Sequence, residues 1–492
     1  MRAAQKIRRG VFAIWLSASV LVWLSLQSGA FGSLESATWD MRQRLVANPA
    51  SHDPKIKIIM IDQSSLDHFA RQEQIYWPWP RSLYVPVLMY LQRAGARGVA
   101  FDMLFTESSS HVGDDREFAD AVGKSLPVVS AVSLRRDAVD GDPKLNALFA
   151  AAQERRRGEI EPYVRKGLAP EYPSATLPID FLLQESPALG NVTAEADLDK
   201  IFRHTYPGAY VGSTPVLSLP LALYSITNPG VSKGAALQAL AGPNGKLLVR
   251  FFGPEGTYDS YSIAAVINSW VKLEEGKSPD MPLDEFKDAY VFVGTNAPGL
   301  LDLRPVPLSG TFPGVELNAT VLDNVLHESF MRPVPHLISV LSAILFLGLV
   351  SLVSMRATRY QALILVGAVA AWSCVAWGCA LAGWWIPAVV PLMGAMYVLP
   401  LVFLLQYRIE GREHRFIKGA FQHYVTPEVI EQIVRDPSSL ALGGERRELT
   451  IFFSDIAGFT SISERLEPGT LVAFLNHFLS EMTDILLESG AT

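Results

Sequence analysis

The chain has 492 residues, of which 49% are hydrophobic and 18% are charged, and its formal net charge is −7. A chain of this length is expected to form about three domains at roughly 150 residues each. The acidic balance gives no support for nucleic-acid binding, which needs a concentrated basic surface. Cys374 and Cys379 lie together in an apolar run, so the sequence predicts no disulfide in a soluble part.

The N-terminus carries the first membrane signal. Four basic residues precede an uncharged stretch from Gly10 to Leu34, which at about 25 residues is long enough to span a bilayer. The alternative is a cleaved signal peptide, because the small residues Ser28, Gly29 and Ala30 lie near a cleavage position. In both cases the following segment is expected to cross the membrane. We assign residues 1–34 to a cytoplasmic N-terminus and a first transmembrane helix.

Residues 35–332 begin as alternating strands and helices. The predicted elements are a strand from Lys55 to Ile61 before Asp62, a helix from Arg81 to Ala94 before Gly95, a strand from Gly98 to Phe105 containing Asp102, a helix from Asp114 to Lys124 and a strand from Val128 to Val132. This order predicts a parallel sheet. The charged segment from Asp137 to Pro178, which includes Arg155, Arg156 and Arg157, is interpreted as a solvated insertion, with a binding patch as the alternative.

Candidate sensing positions follow from the parallel sheet. Ligands of such sheets bind beyond the carboxyl ends of the strands. Asp62, Asp102 and the loop from Gly294 to Gly299, which contains Asn296, are therefore candidates for contact with an extracytoplasmic ligand of unassigned chemistry. The alternative is that the aspartates cap helices and the glycines permit tight turns.

Residues 333–407 are predicted to contain three further spans. Pro333 to Met355 forms one span, and Tyr360 to Tyr407 carries no charge. The second stretch would be roughly 70 Å long as one helix, more than twice the hydrocarbon thickness, so it must turn back. The turn is expected between Gly383 and Pro387, where two tryptophans suit the membrane interface.

Basic residues predict the orientation of the four spans. They follow the second and the fourth span, at Arg356, Arg359, Arg408, Arg412, Arg415 and Lys418. The positive-inside rule then places residues 35–332 outside and everything after Tyr407 in the cytoplasm. A multi-pass protein of the bacterial inner (plasma) membrane is expected. Residues 408–442 read as a juxtamembrane connector with a second helix starting at Thr426, and a sharper hypothesis pairs the connector with its twin in a homodimer.

The stretch from Leu449 to Thr460 carries the clearest chemistry. Leu449 to Phe453 is predicted to be a buried strand, Asp455 lies at its carboxyl edge, and Gly458 turns the chain into a helix. A carboxylate there can hold a divalent cation, while the amides of 458–460 face phosphate oxygens. The alternative for Asp455 is a helix N-cap. A second helix, from Pro468 to Gly490, has an apolar stripe that is expected to lie on a sheet.

Two families are similar to this sequence. Residues 443–492 contain the runs FFSDIAGFT, SISERLEP and LVAFLNHFLSEMTDILLESGAT. Together these runs resemble the opening of a class III nucleotidyl cyclase domain, which has a ferredoxin-like α+β fold. The segment from about Trp39 to Pro333 contains, in order, IKIIMIDQSSLD, WPWPRSLY, AGARGVAFDMLF and YVFVGTNAPGLLDLRPVPLSGTFPGVELNATVLDNVL. This segment resembles a CHASE2 domain. The latter resemblance implies an extracytoplasmic α/β sensor followed by three membrane helices.

The cyclase resemblance assigns roles to single residues. It implies that Asp455 bridges two Mg²⁺ ions, with Mn²⁺ as an alternative, that Ile456 adds its carbonyl, and that Gly458, Phe459 and Thr460 contact the triphosphate of ATP or GTP. One ion then helps lower the pKa of the ribose 3′-hydroxyl, and the other neutralises the pyrophosphate leaving group.

The combined expectation is a multidomain membrane protein. Its intact form is expected to be a homodimeric receptor-type cyclase that converts ATP to cyclic AMP and pyrophosphate, with no nucleic-acid partner. Residues 443–492 lack the second metal aspartate and the transition-state residues of the family, so the chain by itself is expected to be inactive. The alternative is a non-enzymatic membrane receptor or scaffold with a vestigial cyclase tail.

Overall fold

The computed structural model describes residues 2–109, 112–138, 141–297, 302–421, 448 and 450–489. The chain divides into two units. The larger comprises Leu16–Val350 and Ala362–Val398, and the smaller comprises Met1–Trp15, Ser351–Gln361 and Leu399–Thr492. The predicted helix starting at Thr426 and the end of the loop at Pro298 and Gly299 lie outside the described residues.

The larger unit is built on a seven-stranded sheet. Its strands are β1 (Ile56–Ile61), β2 (Gly98–Phe101), β3 (Val128–Arg135), β5 (Ser174–Thr176), β6 (Ala188–Asn191), β11 (Asp259–Ser262) and β12 (Tyr290–Thr295). Shorter strands are β4 (Glu171–Tyr172), β7 (His204–Thr205), β8 (Gly208–Val211), β9 (Thr214–Leu217), β10 (Leu247–Leu248), β13 (Leu303–Val306), β14 (Ser309–Pro313), β15 (Arg332–Pro333) and β16 (Trp384–Trp385).

Helices cover both faces of this sheet and extend beyond it. In chain order they are α1 (Arg2–Ser28), α2 (Gly32–Val46), α3 (Gln63–His68), α4 (Val85–Ala94), α5 (Val112–Lys124), α6 (Pro143–Arg155), α7 (Arg157–Ile160), α8 (Asp180–Glu185), α9 (Leu219–Thr227), α10 (Gly234–Leu240), α11 (Ile263–Glu274), α12 (Gly314–His327), α13 (His336–Arg356), α14 (Gln361–Leu381), α15 (Val389–Phe421), α16 (Phe459–Arg465) and α17 (Pro468–Glu488).

The predicted parallel sheet is confirmed, with one unexpected strand order. Strands β11, β1, β12, β2 and β3 are neighbours in that order and run parallel. All six residues of β1 are buried, as expected for a strand covered on both faces. Ile58 packs toward the side of α9 and α12, whereas Ile59 packs toward the side of α4 and α11. Strand β12 thus comes from far along the chain and separates β1 from β2.

Two predicted elements end differently from the expectation. The strand predicted from Gly98 to Phe105 ends at Phe101, because the chain turns away after the amide of Asp102 donates to the carbonyl of Val293 (2.8 Å). Phe105 instead packs against the rings of Tyr84 and Phe118. The helix predicted from Arg81 starts as a 3₁₀ turn and then forms α4, which ends as predicted at Gly95 with a left-handed φ of 77°.

The interpretation of Asp137 to Pro178 as a solvated insertion is partly wrong. Phe149, Tyr163 and Tyr172 from this segment are buried in the cores, and β5 pairs with β3. Arg155 and Arg157 are exposed, and Arg157 forms ion pairs with Glu154 and Glu161, whereas the Arg156 side chain is only 13% exposed. The segment is therefore amphipathic. Its many charged residues suggested a solvated insertion, although its apolar residues pack inward.

In the part of the chain that the structure describes, four helices are long and apolar enough to cross a membrane, as predicted: Gln5–Ser28, His336–Arg356, Gln361–Leu381 and Val389–Ile409. The first ends earlier than the predicted Leu34, because Gly29 adopts a left-handed φ of 64° and α2 begins at Gly32. The predicted turn near Gly383 is also confirmed, since β16 follows it and pairs with β15.

Candidate functional site

The carboxyl ends of three neighbouring strands bring the predicted sensing residues to one edge of the sheet. Asp62 follows β1, Asn296 follows β12 and Asp102 follows β2. These strands are parallel neighbours, so their ends meet at the position where open α/β sheets bind ligands. The three residues nevertheless have different surroundings.

Asp62 acts as a helix cap. Its carboxylate accepts hydrogen bonds from the amide of Ser65 (2.8 Å) and from the hydroxyls of Ser65 (2.5 Å), Ser64 (2.9 Å) and Ser262 (3.3 Å). Burial opposes ionisation, but these bonds outweigh it and lower the pKa of Asp62 below its ordinary value. The capping alternative therefore describes what Asp62 does, and the same bonds connect α3 to the start of α11.

Gly294 and Asn296 line the end of β12 without a comparable cluster. A Cβ atom on Gly294 would lie 2.7 Å from the Cβ of Val315, so glycine permits close packing of α12 on the strand. Asn296 is exposed, and its amide donates to the carbonyl of Ile61 (3.0 Å). Their assignment to ligand sensing stays a prediction.

Asp102 differs because it caps no helix. Its carboxylate accepts a hydrogen bond from the side-chain amide of Asn318 on α12 (3.1 Å). Burial raises the pKa of Asp102 to about 6, and the nearby Asp302 adds to this, while Arg304 and Asn318 act in the opposite direction. A partly buried carboxyl group with a pKa shifted toward neutrality is a feature of functional sites.

A cavity of about 490 Å³ adjoins Asp102. Its polar lining comes from Asp102, Ser133, Thr193, Asp302 and Arg304, and Phe202 contributes an aromatic wall. Arg304 forms an ion pair with Asp302 (2.6 Å), and its guanidinium lies 5.5 Å from the centre of the Phe202 ring. The cavity thus presents an acid, an ion pair and hydroxyls to a small polar ligand.

The sequence interpretation missed Asp302 and Arg304. They lie on or beside the hairpin of β13 and β14, which packs near the end of β2 although it is two hundred residues away in the chain. A Cβ atom on Gly314, the first residue of α12, would collide with the Asp302 carboxylate. The glycine at the start of this helix was the available signal for a close approach there.

We expect the Asp102 carboxyl to make folding stability depend on pH. Because its folded pKa of about 6 lies above the ordinary 3.8, the folded state binds the proton more tightly. Stability should therefore fall as the pH rises from about 4 to about 6 and remain lower above that. Asp102→Asn should remove this fall and gain roughly 1–2 kcal/mol at pH 8, discounted from about 1.4 kcal/mol per pKa unit.

Thermal unfolding of the detergent-solubilised protein at pH 5 and pH 8 measures this effect. Asp62→Asn is the matched control, because the lowered pKa of Asp62 supplies stability above about pH 4. That variant should lose stability at pH 8 instead of gaining it. An unfolding midpoint of Asp102→Asn that follows the wild-type midpoint at both pH values would contradict the assignment.

The second group of predicted site residues follows the connector. Asp455 is exposed, and one of its carboxylate oxygens accepts the amide of Ile456 (2.9 Å). The chain turns at Gly458, which has a left-handed φ of 71° and precedes α16 as predicted. The carbonyl of Ile456 accepts the amide of Phe459 (3.2 Å). The described residues contain no group of three or more His, Cys, Asp or Glu side chains that could hold a metal ion.

The strand predicted from Leu449 to Phe453 does not form over its described part, 450–453. Ile451 and Phe453 are 75% and 89% exposed, and no strand among the described residues pairs with them. A strand needs a neighbour to satisfy its backbone groups, so an extended segment without one is not a strand. The predicted second helix does form, as α17, and Val472, Leu479 and Ile485 on it are exposed.

Comparison with known proteins agrees with part of the sequence interpretation. The family model of the CHASE2 domain matches residues 16–355, more than half of the chain. An adenylate cyclase of Anabaena cylindrica is 37% identical over 76 residues, which are 15% of this chain and 14% of that protein. The chain thus matches only a small part of the curated relative's length. No solved structure matches the chain.

Proposed function

The chain belongs to the CHASE2 domain family, and we propose that the intact protein is a membrane-bound class III nucleotidyl cyclase controlled by this sensor domain. The observation that carries the proposal is the FFSDIAGFT sequence, in which an exposed carboxylate precedes a left-handed glycine and a helix start. Similarity to an adenylate cyclase supports cyclic AMP as the product. ATP is therefore the proposed substrate, with GTP as the alternative.

The residues around Asp455 fit a metal-dependent reaction. The carboxylate has no ion-pair partner among the described residues, and carboxylate and carbonyl oxygens are the ligands that Mg²⁺ prefers. Asp455 and the carbonyl of Ile456 would hold two Mg²⁺ ions or Mn²⁺, and the backbone of 458–460 would receive the triphosphate. When bound, the ions supply activation of the ribose 3′-hydroxyl and charge neutralisation of the leaving group. The chain's own part is to orient the nucleotide.

The sensor is proposed to lie outside the cytoplasm. Three helices that could cross a membrane lie along the chain between residues 35–332 and the FFSDIAGFT segment, and a fourth precedes residue 35. The basic flanks of the spans favour a cytoplasmic C-terminus in the bacterial plasma membrane. We propose that the Asp102 cavity receives a small polar ligand and that two copies form the active unit. Residues 443–492 are proposed to be the first strand and helices of a ferredoxin-like α+β domain. Further strands would be needed to complete that fold.

A topology reporter tests the orientation directly. Green fluorescent protein fused after Arg408 should fluoresce, and alkaline phosphatase at the same position should be inactive. Fusions after Gly276, on the surface of the sensor, should give the opposite pair of results. Phosphatase activity after Arg408 would overturn the proposal, because the cyclase segment would then lie away from cytoplasmic ATP.

A further inference from the structure

A second cavity, which we call the membrane-face cavity, lies within the larger unit and has a volume of about 760 Å³. Its walls include the last turn of α1 and the starts of α13 and α15, three of the four helices that could cross a membrane. The turn that carries Lys246 closes it on the sensor side. The cavity therefore spans the boundary between the apolar layer and the sensor.

The lining of the membrane-face cavity is mainly apolar. Its apolar side chains include Leu26, Phe31, Trp39, Leu248, Val334 and Trp385. The volume lies within the range of small-molecule sites, and the bilayer beside it is the natural source of apolar chains. A cavity of this size and lining at the membrane surface suits an aliphatic chain better than a polar metabolite.

A polar group is available at the sensor end. Lys246 lines the cavity, and its ammonium lies 5.3 Å from the centre of the Tyr206 ring. Among the described residues, no carboxylate forms a salt bridge with this ammonium, although the Glu195 carboxylate interacts with it at longer range across an adjoining small pocket that Lys246 and Tyr206 also line. It therefore retains donors for a polar end group.

Glu35 connects the wall of this cavity to the last span. It lies on α2 and is 7% exposed, and its carboxylate accepts the amides of Ala388 (2.7 Å), Val389 (2.8 Å) and Val390 (3.0 Å). These are the amides at the start of α15, which are otherwise unsatisfied in a helix. The negative charge also suits the positive end of the helix dipole. Because Glu35 also lines the cavity, a molecule bound there would lie beside the residue that caps the helix leading to the connector.

We propose that the membrane-face cavity binds the aliphatic chain of an amphiphile, with its polar end at Lys246, and that Glu35 makes the start of α15 sensitive to occupancy. The amphiphile can come from the bilayer as a phospholipid or from outside it as a free fatty acid. This inference concerns the sensor and the adjoining ends of the spans, so its binding test is independent of cyclase activity.

Two binding experiments with the full chain in nanodiscs distinguish the sources. In the first, tritiated palmitate is titrated into phosphatidylcholine nanodiscs. In the second, native mass spectrometry detects phosphatidylglycerol retained when the protein leaves its nanodisc. Ser36 lines the cavity, so Ser36→Trp should fill part of it. Each excluded methylene weakens binding about fourfold, so a loss of about tenfold or more is expected.

Ser33→Trp is the matched control, because Ser33 lies on the same helix, is exposed and does not line the cavity. It should bind like the wild type. Lys246→Gln should weaken palmitate binding several-fold, whereas Lys272→Gln, remote from the cavity, should not. The absence of saturable binding in both experiments, or equal binding by both tryptophan variants, would overturn the site.

Hydrogen exchange measures the connection through Glu35. Palmitate or retained lipid should slow exchange of the amides of Ala388 to Val390 in the wild type. In Glu35→Gln the difference between bound and free protein should disappear, because the amide side chain offers one acceptor oxygen in place of two. Binding without any change in this exchange would overturn the role of Glu35.

Discussion

Asp455→Asn is expected to lower cyclic AMP formation by the intact protein at least about 100-fold. A metal ion contributes several kcal/mol of charge stabilisation in such reactions, and each 1.36 kcal/mol is a factor of ten in rate. The proposed role gives Asp455 both ions, so loss of its charge should affect them together. The measurement is cyclic AMP produced from Mg²⁺ and ATP by membranes containing the intact protein.

The control for Asp455 is Asp484→Asn. Asp484 is an exposed carboxylate of the same segment, on α17, and its replacement removes the same charge without touching the FFSDIAGFT turn. Cyclic AMP formation by the Asp484→Asn variant should remain within about twofold of the wild-type value, because most surface substitutions have small effects. Equal activity of Asp455→Asn and Asp484→Asn would refute the metal role. A wild type that forms no cyclic nucleotide would favour the non-enzymatic receptor.

Local features of the sensor could be predicted because they depend on near neighbours in sequence. The buried run of β1, the cap at Asp62 and the stop of α4 at Gly95 each rest on a few consecutive residues. The position of β12 between β1 and β2 could not be predicted. These pairings join residues about two hundred positions apart, and β12 carries the same kind of apolar run as its neighbours.

The candidate site also combines features that the local sequence predicts with features that depend on residues far away in the chain. Asp102 could be found because it follows a strand, but its environment depends on Asn318, Asp302 and Arg304 from distant elements. For 450–453 the local pattern predicted a strand, yet strand formation requires a partner. Periodicity identifies what a segment favours, and pairing decides whether that structure forms.

Arg203→Ala is expected to destabilise the sensor by about 3–5 kcal/mol, which is the usual cost of removing one partner of a buried ion pair. Arg203 is 2% exposed and donates to both carboxylate oxygens of Asp40 on α2, at 2.7 Å each. It also donates to Asp199 (2.8 Å) and Asp197 (3.3 Å). Hydrogen bonds to these carboxylates outweigh burial and hold the pKa of Arg203 well above its ordinary value.

The destabilisation should appear as a fall of roughly 5–15 °C in the unfolding midpoint of the detergent-solubilised protein. Lys124→Ala is the control, because the Lys124 side chain is 73% exposed in its pair with Asp120, and such pairs contribute about 0–1 kcal/mol. A change equal to that control would show that the buried network adds nothing.

A double variant separates two causes of the lost stability: the buried Asp40 carboxylate left without its cation, and the loss of the Asp40–Arg203 ion pair itself. In Arg203→Ala the Asp40 carboxylate, on a residue that is 8% exposed, stays buried without its cation. Arg203→Met with Asp40→Leu removes both charges and fills similar volume, so the double variant should lose less stability than Arg203→Ala alone. If the double variant loses as much stability as Arg203→Ala or more, the bidentate ion pair itself stabilises the attachment of α2 to the sensor. The destabilisation of Arg203→Ala would then not come from an uncompensated Asp40 carboxylate.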